Sequence, residues 1–162
     1  MQTPAASSFL QIIGNRTKAR LFLLQKLPAA FFSGVRIEAI TAEHCTVSVP
    51  YKWFTQNPFR STYFACLSMA AEMSTGALAM AAVYGRKPAV SLLITGMEGH
   101  FFKKAIGKTL FTCSEGLLLR QAVENAVQTG VPEAVKVYTT GVDTAGTLIA
   151  EFWFTWSFKA KI

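Results

Sequence analysis

One segment limits the fold of this chain more than any other. Residues Ser61–Gly85 contain a single charged residue, Glu72, close to their centre, among alanine, serine, threonine, methionine and a few larger apolar side chains. The run is as long as a bilayer span, which needs roughly 20 apolar residues. Its residues are small rather than branched, however, and a carboxylate at the bilayer centre costs about 3 kcal/mol or more. No membrane span is therefore expected here. The segment reads as a helix buried inside a globular domain, with Ser61 or Thr62 as its cap and Gly85 as its stop. Arg86 and Lys87 then sit where cations complement the negative end of the helix dipole. A helix that is apolar all round must be wrapped by the rest of the chain.

The remainder supplies the wrapping. With 162 residues, 51% hydrophobic and 15% charged, the chain is expected to form one domain over residues 1–162, and the composition excludes disorder. Ser8–Lys26 has apolar residues at helical spacing, including Phe9, Ile12, Ile13, Leu21 and Leu24. The reading is one or two short helices, with Ser7 or Ser8 as a cap, a break at Gly14-Asn15 and a limit at Pro28. Val35–Ile40 and Cys45–Val49 alternate as a hairpin around Thr41–His44. Lys52–Arg60 reads as a loop. Ala89–Thr95, Gly99–Ala105 and Lys108–Ser114 read as three strands separated by glycines, and Gly116–Gln128 as a helix closed by Gly130. Val135–Thr140 and Thr147–Lys159 flank a Gly141–Gly146 turn, the second strand alternating Leu148, Ala150, Phe152, Phe154, Trp156 and Phe158. Strands and helices are not regularly interleaved, which argues against a doubly wound parallel sheet. The expected class is α+β, an antiparallel sheet around one central helix.

Sixteen Lys and Arg against nine Asp and Glu give a formal charge of +7, which favours anionic partners. The cations are scattered from Arg16 to Lys161 rather than interleaved with aromatics in a recognisable module, so no nucleic-acid partner is expected. Cys45, Cys66 and Cys113 are odd in number and widely spaced, which fits a reducing cytoplasm rather than a disulfide framework. Met1–Leu10 lacks the features of a signal peptide. His44 and His100 have no ligand partners at useful spacing, so no metal is expected. The absence of a nucleophile elbow, a phosphate-binding glycine loop and a dinucleotide fingerprint leaves no cofactor expected.

Against so few acidic residues, Glu72 stands out. Ser68, Met69, Thr75 and Gly76 share its helix face, a set of mostly small residues that lets a ligand approach the backbone. Burial there raises a carboxyl pKa, as suits a general base or nucleophile. The alternative is an ion pair with an Arg or Lys from a neighbouring strand. Cys66, in the helix's first turn, is either a stabilised thiolate or a small packing residue. Lys103, Lys104 and Lys108, around Phe101-Phe102 and Gly107, and Arg60 are either phosphate contacts or solvated surface charges.

The order of elements resembles the hotdog fold of acyl-CoA thioesterases and dehydratases. One thioesterase group in that superfamily carries N-x5-HGG-x6-[DE]. Here Asn57, Tyr63-Phe64-Ala65 and Glu72 stand at those positions, with the His-Gly-Gly replaced. The Asp143-Thr144-Ala145-Gly146 turn, the aromatic strand ending in Trp156-Ser157-Phe158-Lys159 and the Lys26-Leu27-Pro28 entry resemble a poorly characterised, domain-of-unknown-function branch of the superfamily. The resemblance implies a thioesterase-like hydrolase acting on an acyl-CoA or other acyl thioester. In it, Glu72 activates water or attacks the thioester carbon, Asn57 orients water or the carbonyl, and backbone amides of Phe64 and Ala65 polarise the thioester oxygen. Tyr63, Phe64, Ala65, Arg60, Lys103 and Lys104 would bind substrate. It also implies a homodimer or higher homo-oligomer with sites at the subunit interface. A non-catalytic acyl-CoA or fatty-acyl binding protein on the same fold is the alternative.

Overall fold

The fold is that of a computed structural model, described over residues 4–161. Three helices open the chain: α1 (Pro4–Gly14), α2 (Arg16–Lys26) and α3 (Pro28–Ser33). The break at Gly14-Asn15 is a cap, because the Asn15 side-chain oxygen accepts a hydrogen bond from the Lys18 amide at 3.0 Å, satisfying one orphan donor of α2. Pro28 does more than end α2. Its missing N–H costs nothing in a first turn, and there it starts α3, a third helix beyond the one or two expected. Ser7 and Ser8 do not cap α1, which is already helical at Pro4. Of the Met1–Leu10 segment, residues 1–3 lie outside the described residues.

β1 (Arg36–Ile40) and β2 (Cys45–Val49) form the expected hairpin, its turn held by Thr41 Oγ1, which accepts from the Glu43 and His44 amides. A single 3-10 turn, Trp53–Thr55, sits in the following loop. The long helix α4 covers Phe64–Val83, and twelve of its twenty residues are buried. It has the length and hydropathy of a membrane span, yet its apolar sides are covered by sheet and helices, as the small-residue composition requires. The chain continues through β3 (Val90–Phe101), β4 (Thr109–Cys113), α5 (Gly116–Thr129), β5 (Glu133–Asp143) and β6 (Leu148–Ala160).

All six strands join one antiparallel sheet in the order β1-β2-β4-β5-β6-β3. The sheet curls around α4, which packs on its concave face with α5 beside it. Side chains of the alternating β6 row from Ala150 to Phe158 are buried against α4, as the period-2 pattern predicts. Two buried polar contacts lock helix to sheet: Ser74 Oγ with Thr139 Oγ1 at 2.8 Å, and Trp156 Nε1 donating to Thr75 Oγ1 at 3.0 Å. At the far end of α4, Arg86 donates a fork of 2.9 and 2.6 Å to Glu124 of α5 and a further bond to the Ala82 carbonyl. The expected cation at the negative end of the helix is therefore also a strut. Cys45 and Cys113 face each other across β2 and β4 as free thiols, and burial pushes them up to about 12 and about 11.

Two local readings are corrected. Ser61 and Thr62 do not cap α4. Thr62 is tied through its amide and hydroxyl to the Ala105 carbonyl, and Ser61 bonds to Asn57. Tyr63 takes the cap position without a side-chain bond. Gly96 and Gly99 do not divide the sheet edge either. β3 runs unbroken along β6 with one bulge between Ile94 and Gly96. Gly99 is there for room: a Cβ on it would lie 2.6 Å from the Phe152 ring. The stretch after Phe101 is loop rather than strand.

Candidate active site around Glu72

Glu72 lies half-way along α4, and its side chain folds back over the next turn of the helix. Gly76 makes this possible, because a Cβ there would stand 2.7 Å from Glu72 Oε1 and 3.3 Å from the Trp156 ring. An interior helix glycine costs up to about 1 kcal/mol against alanine, so its place here is explained by the carboxylate it leaves room for. Glu72 and Gly76 share a cavity of about 200 Å³ with Met73, Ala77 and Met80 of the same helix and Trp156 of β6. Phe9, Ile13, Phe22 and Leu23 of the two N-terminal helices close it. Among the described residues no cation pairs with the Glu72 carboxylate, and no donor is hydrogen-bonded to it. The alternative of a structural ion pair is thereby overturned. Burial among apolar groups, with nothing to stabilise the charge, pushes its pKa up to about 7.

The residues preceding α4 build a different space. Asn57 organises the loop: its side-chain oxygen accepts from the Phe59 and Ser61 amides at 2.9 and 3.2 Å, and its amide donates to Ser61 Oγ at 3.1 Å. This Asx-type turn forces Arg60 into the left-handed region at φ 58°. Tyr63 follows, its amide bonded to the Thr55 carbonyl. The amides of Phe64 and Ala65 begin the helix with no carbonyl behind them to accept. Asn57, Tyr63, Phe64, Lys103 and Lys104 line one open cleft of about 540 Å³ at this end of α4. The Tyr63 and Phe64 rings meet edge to face, centroids 4.9 Å apart, and both are largely exposed.

The sequence-derived candidates thus divide between two places. The cleft gathers Asn57, Tyr63, Phe64, Lys103 and Lys104 but neither Glu72 nor Arg60. Glu72 stands seven residues beyond Ala65, about 11 Å along the helix axis, in its own cavity. Lys108 belongs to neither: it pairs with Glu38 at 2.6 Å on another face, where Glu38 is held below the usual carboxylate range by Lys108 and Ser48. Cys66 is a packing residue, its thiol buried and pushed up by that burial, not a stabilised thiolate. Of the cavity walls not anticipated, Met80 was within reach of the sequence. It repeats the Glu72 face at i+8, one step beyond Gly76. Phe9 and Ile13 carry no local mark of their role, since contact between α1 and α4 is a matter of chain path.

The hotdog likeness is borne out by solved structures. A Pseudomonas aeruginosa protein of unknown function, named a probable thioesterase, superposes with a TM-score of 0.76 at 19% identity, covering 93% of this chain and 99% of its own. A Chlorobaculum tepidum protein of unknown function gives 0.73 at 12% identity, covering 92% and 99%. A thioesterase from Haemophilus influenzae gives 0.64 at 12% identity, covering 86% and 88%. No curated protein matches the sequence. The family model of the domain of unknown function DUF4442 matches residues 17–158. This α+β chain, an antiparallel sheet curled around a long central helix behind added N-terminal helices, therefore belongs to the DUF4442 family and has the hotdog fold of thioesterase-like proteins.

Proposed function

We propose that the protein hydrolyses an acyl thioester, such as an acyl-CoA, with Glu72 as its general base or nucleophile. The observation that carries this reading is an unpaired carboxylate in an apolar cavity, with a pKa near 7. A base poised near neutrality combines the right protonation state with useful driving force. As general base, Glu72 takes a proton from water while the water oxygen bonds to the thioester carbon. The oxyanion is stabilised by helix-start amides of the Phe64 and Ala65 kind, where the helix dipole favours negative charge. When the C–S bond breaks, the proton passes to the departing thiolate, leaving a carboxylic acid and a thiol. Lys103 and Lys104, beside the cleft, suit the phosphates of a CoA-type thiol, and Tyr63 and Phe64 flank its path. Asn57 acts by shaping the cleft loop, since its carboxamide is engaged there.

Within one chain the carboxylate and the helix-start amides face different cavities, so the complete site draws on a second copy. We place that copy along β3, a twelve-residue edge strand carrying exposed Leu93 and Met97 at 66% and 57%. An edge this long and apolar is a template for pairing. A solution mass near twice that of one chain supports this homodimer; a mass near one chain rejects it.

The deciding experiment follows thiol release from a panel of acyl-CoAs with wild type and Glu72→Gln. Turnover by the wild type and a loss of 10²–10⁴-fold in the variant is the expected result. One observation favours a second reading. The exposed Tyr63 stands where the resembled motif has histidine and Phe64 where it has glycine, which suits an acyl binder without turnover. Tight acyl-CoA binding by a wild type that releases no thiol would select it.

A further inference from the structure

The cavity beside Glu72 is apolar, partly open to solvent and walled at its inner end by side chains. It runs along α4 from Glu72 to Met80, two helical turns or about 12 Å. Gly76 and Ala77 hollow its floor by what they lack. Part of its roof precedes the residues that the family model matches. Phe9 and Ile13 belong to α1, which precedes the family match at residue 17. α1 is held down by a small cluster of its own, in which Phe9, Ile13 and Ala81 are buried and the Phe9 ring packs on Phe22 and Tyr84. This part of the roof is therefore a packed wall, and Phe22 and Leu23 of α2 complete it.

Size follows from volume. An apolar cavity of about 150 Å³ stays dry and holds a benzene molecule of six carbons. On that scale the 200 Å³ here accommodates about eight carbons and falls well short of a sixteen-carbon chain. We infer that the cavity receives a medium-length acyl group of about six to eight carbons, and that Phe9 and Ile13 of α1, with Ala77 opposite, set the upper limit. The assignment of an acyl ligand rests on the thioester reading of Glu72; the size limit is tested by binding alone.

The probes are non-hydrolysable S-alkyl-CoA thioethers with four, eight, twelve and sixteen carbons, titrated calorimetrically into the 162-residue chain. Burying each methylene is worth about 0.8 kcal/mol, or about fourfold in affinity. Affinity should climb at about that rate to eight carbons and then level or fall. Ile13→Ala, which opens the roof, should move the break toward twelve carbons. Ala77→Leu, which fills the floor, should move it toward four. If either variant folds poorly, the wild-type profile and the other variant still decide. Affinity that keeps rising to sixteen carbons in the wild type, or a break that neither folded variant moves, overturns the inference. The break with no acyl-CoA hydrolysis sinks the thioesterase reading and leaves the size limit standing. Glu72-dependent hydrolysis indifferent to chain length does the reverse.

Discussion

The two ends of the first half of α4 solve opposite physical problems. At its start the chain exposes what most proteins hide, aromatic rings and unsatisfied amides, beside two lysines at an open cleft. Eight residues on, it hides what most proteins expose, a carboxylate with no partner. The cleft costs little in stability, because water solvates its polar groups. The cavity is costly, because the ionised form of Glu72 loses water and gains nothing in return. The energetic burden on the fold therefore falls on Glu72.

The comparison is broken most directly by pH. Because the folded pKa of Glu72 is raised from 4.5 to about 7, its neutral form is the one the fold favours. Its contribution is full below about pH 4.5 and is lost as pH rises through about 7. Wild type should therefore lose up to about 3 kcal/mol relative to Glu72→Gln between pH 5 and pH 8.5, as measured by urea unfolding. Parallel stability curves for the two proteins would show that the cavity carboxylate is solvated after all. Should Glu72 act as the base, hydrolysis in the wild type should rise through the same interval.

At the cleft the effects are smaller and of another kind. Asn57→Ala removes four side-chain hydrogen bonds from a partly buried turn and should cost about 1–2 kcal/mol, with a marked loss of any activity through the loop. An unchanged melting temperature would deny Asn57 its structural role. Replacing both Lys103 and Lys104 by alanine should weaken CoA-thioester affinity about fivefold at low salt, with little effect at high salt. Equal affinity at low salt would remove them from the binding surface. The smallest effect should come from Arg60→Gly. Relief of the left-handed backbone is worth about 1–2 kcal/mol, partly offset by the entropy of glycine in the unfolded chain. The net gain is about half a kcal/mol, and a loss instead would mean the Arg60 side chain holds the loop.

Much of this was legible in the residues. The period-2 row of β6 and the small-residue run with one carboxylate are local patterns, and hydrophobic burial turns such patterns directly into faces. Glu72 could be singled out because a lone charge in an apolar helix has few explanations. What failed were inferences from single residues acting at a distance. Gly99 reads as a strand breaker but serves as the seat of the Phe152 ring. Ser61 and Thr62 read as caps, yet their hydroxyls bond within the loop and to Ala105 instead. Asn57 and Glu72 read as one constellation by spacing, while a rigid helix holds them apart.

The sequence by itself therefore determined the central helix, its antiparallel wrapping and the one carboxylate standing alone in that helix, because periodicity and charge scarcity are properties of neighbours along the chain. Only the tertiary structure decided that Glu72 has no partner, that α1 roofs its cavity and that the cleft lies elsewhere. Those facts depend on which distant segments meet, and burial energy rewards any apolar neighbour without naming which one.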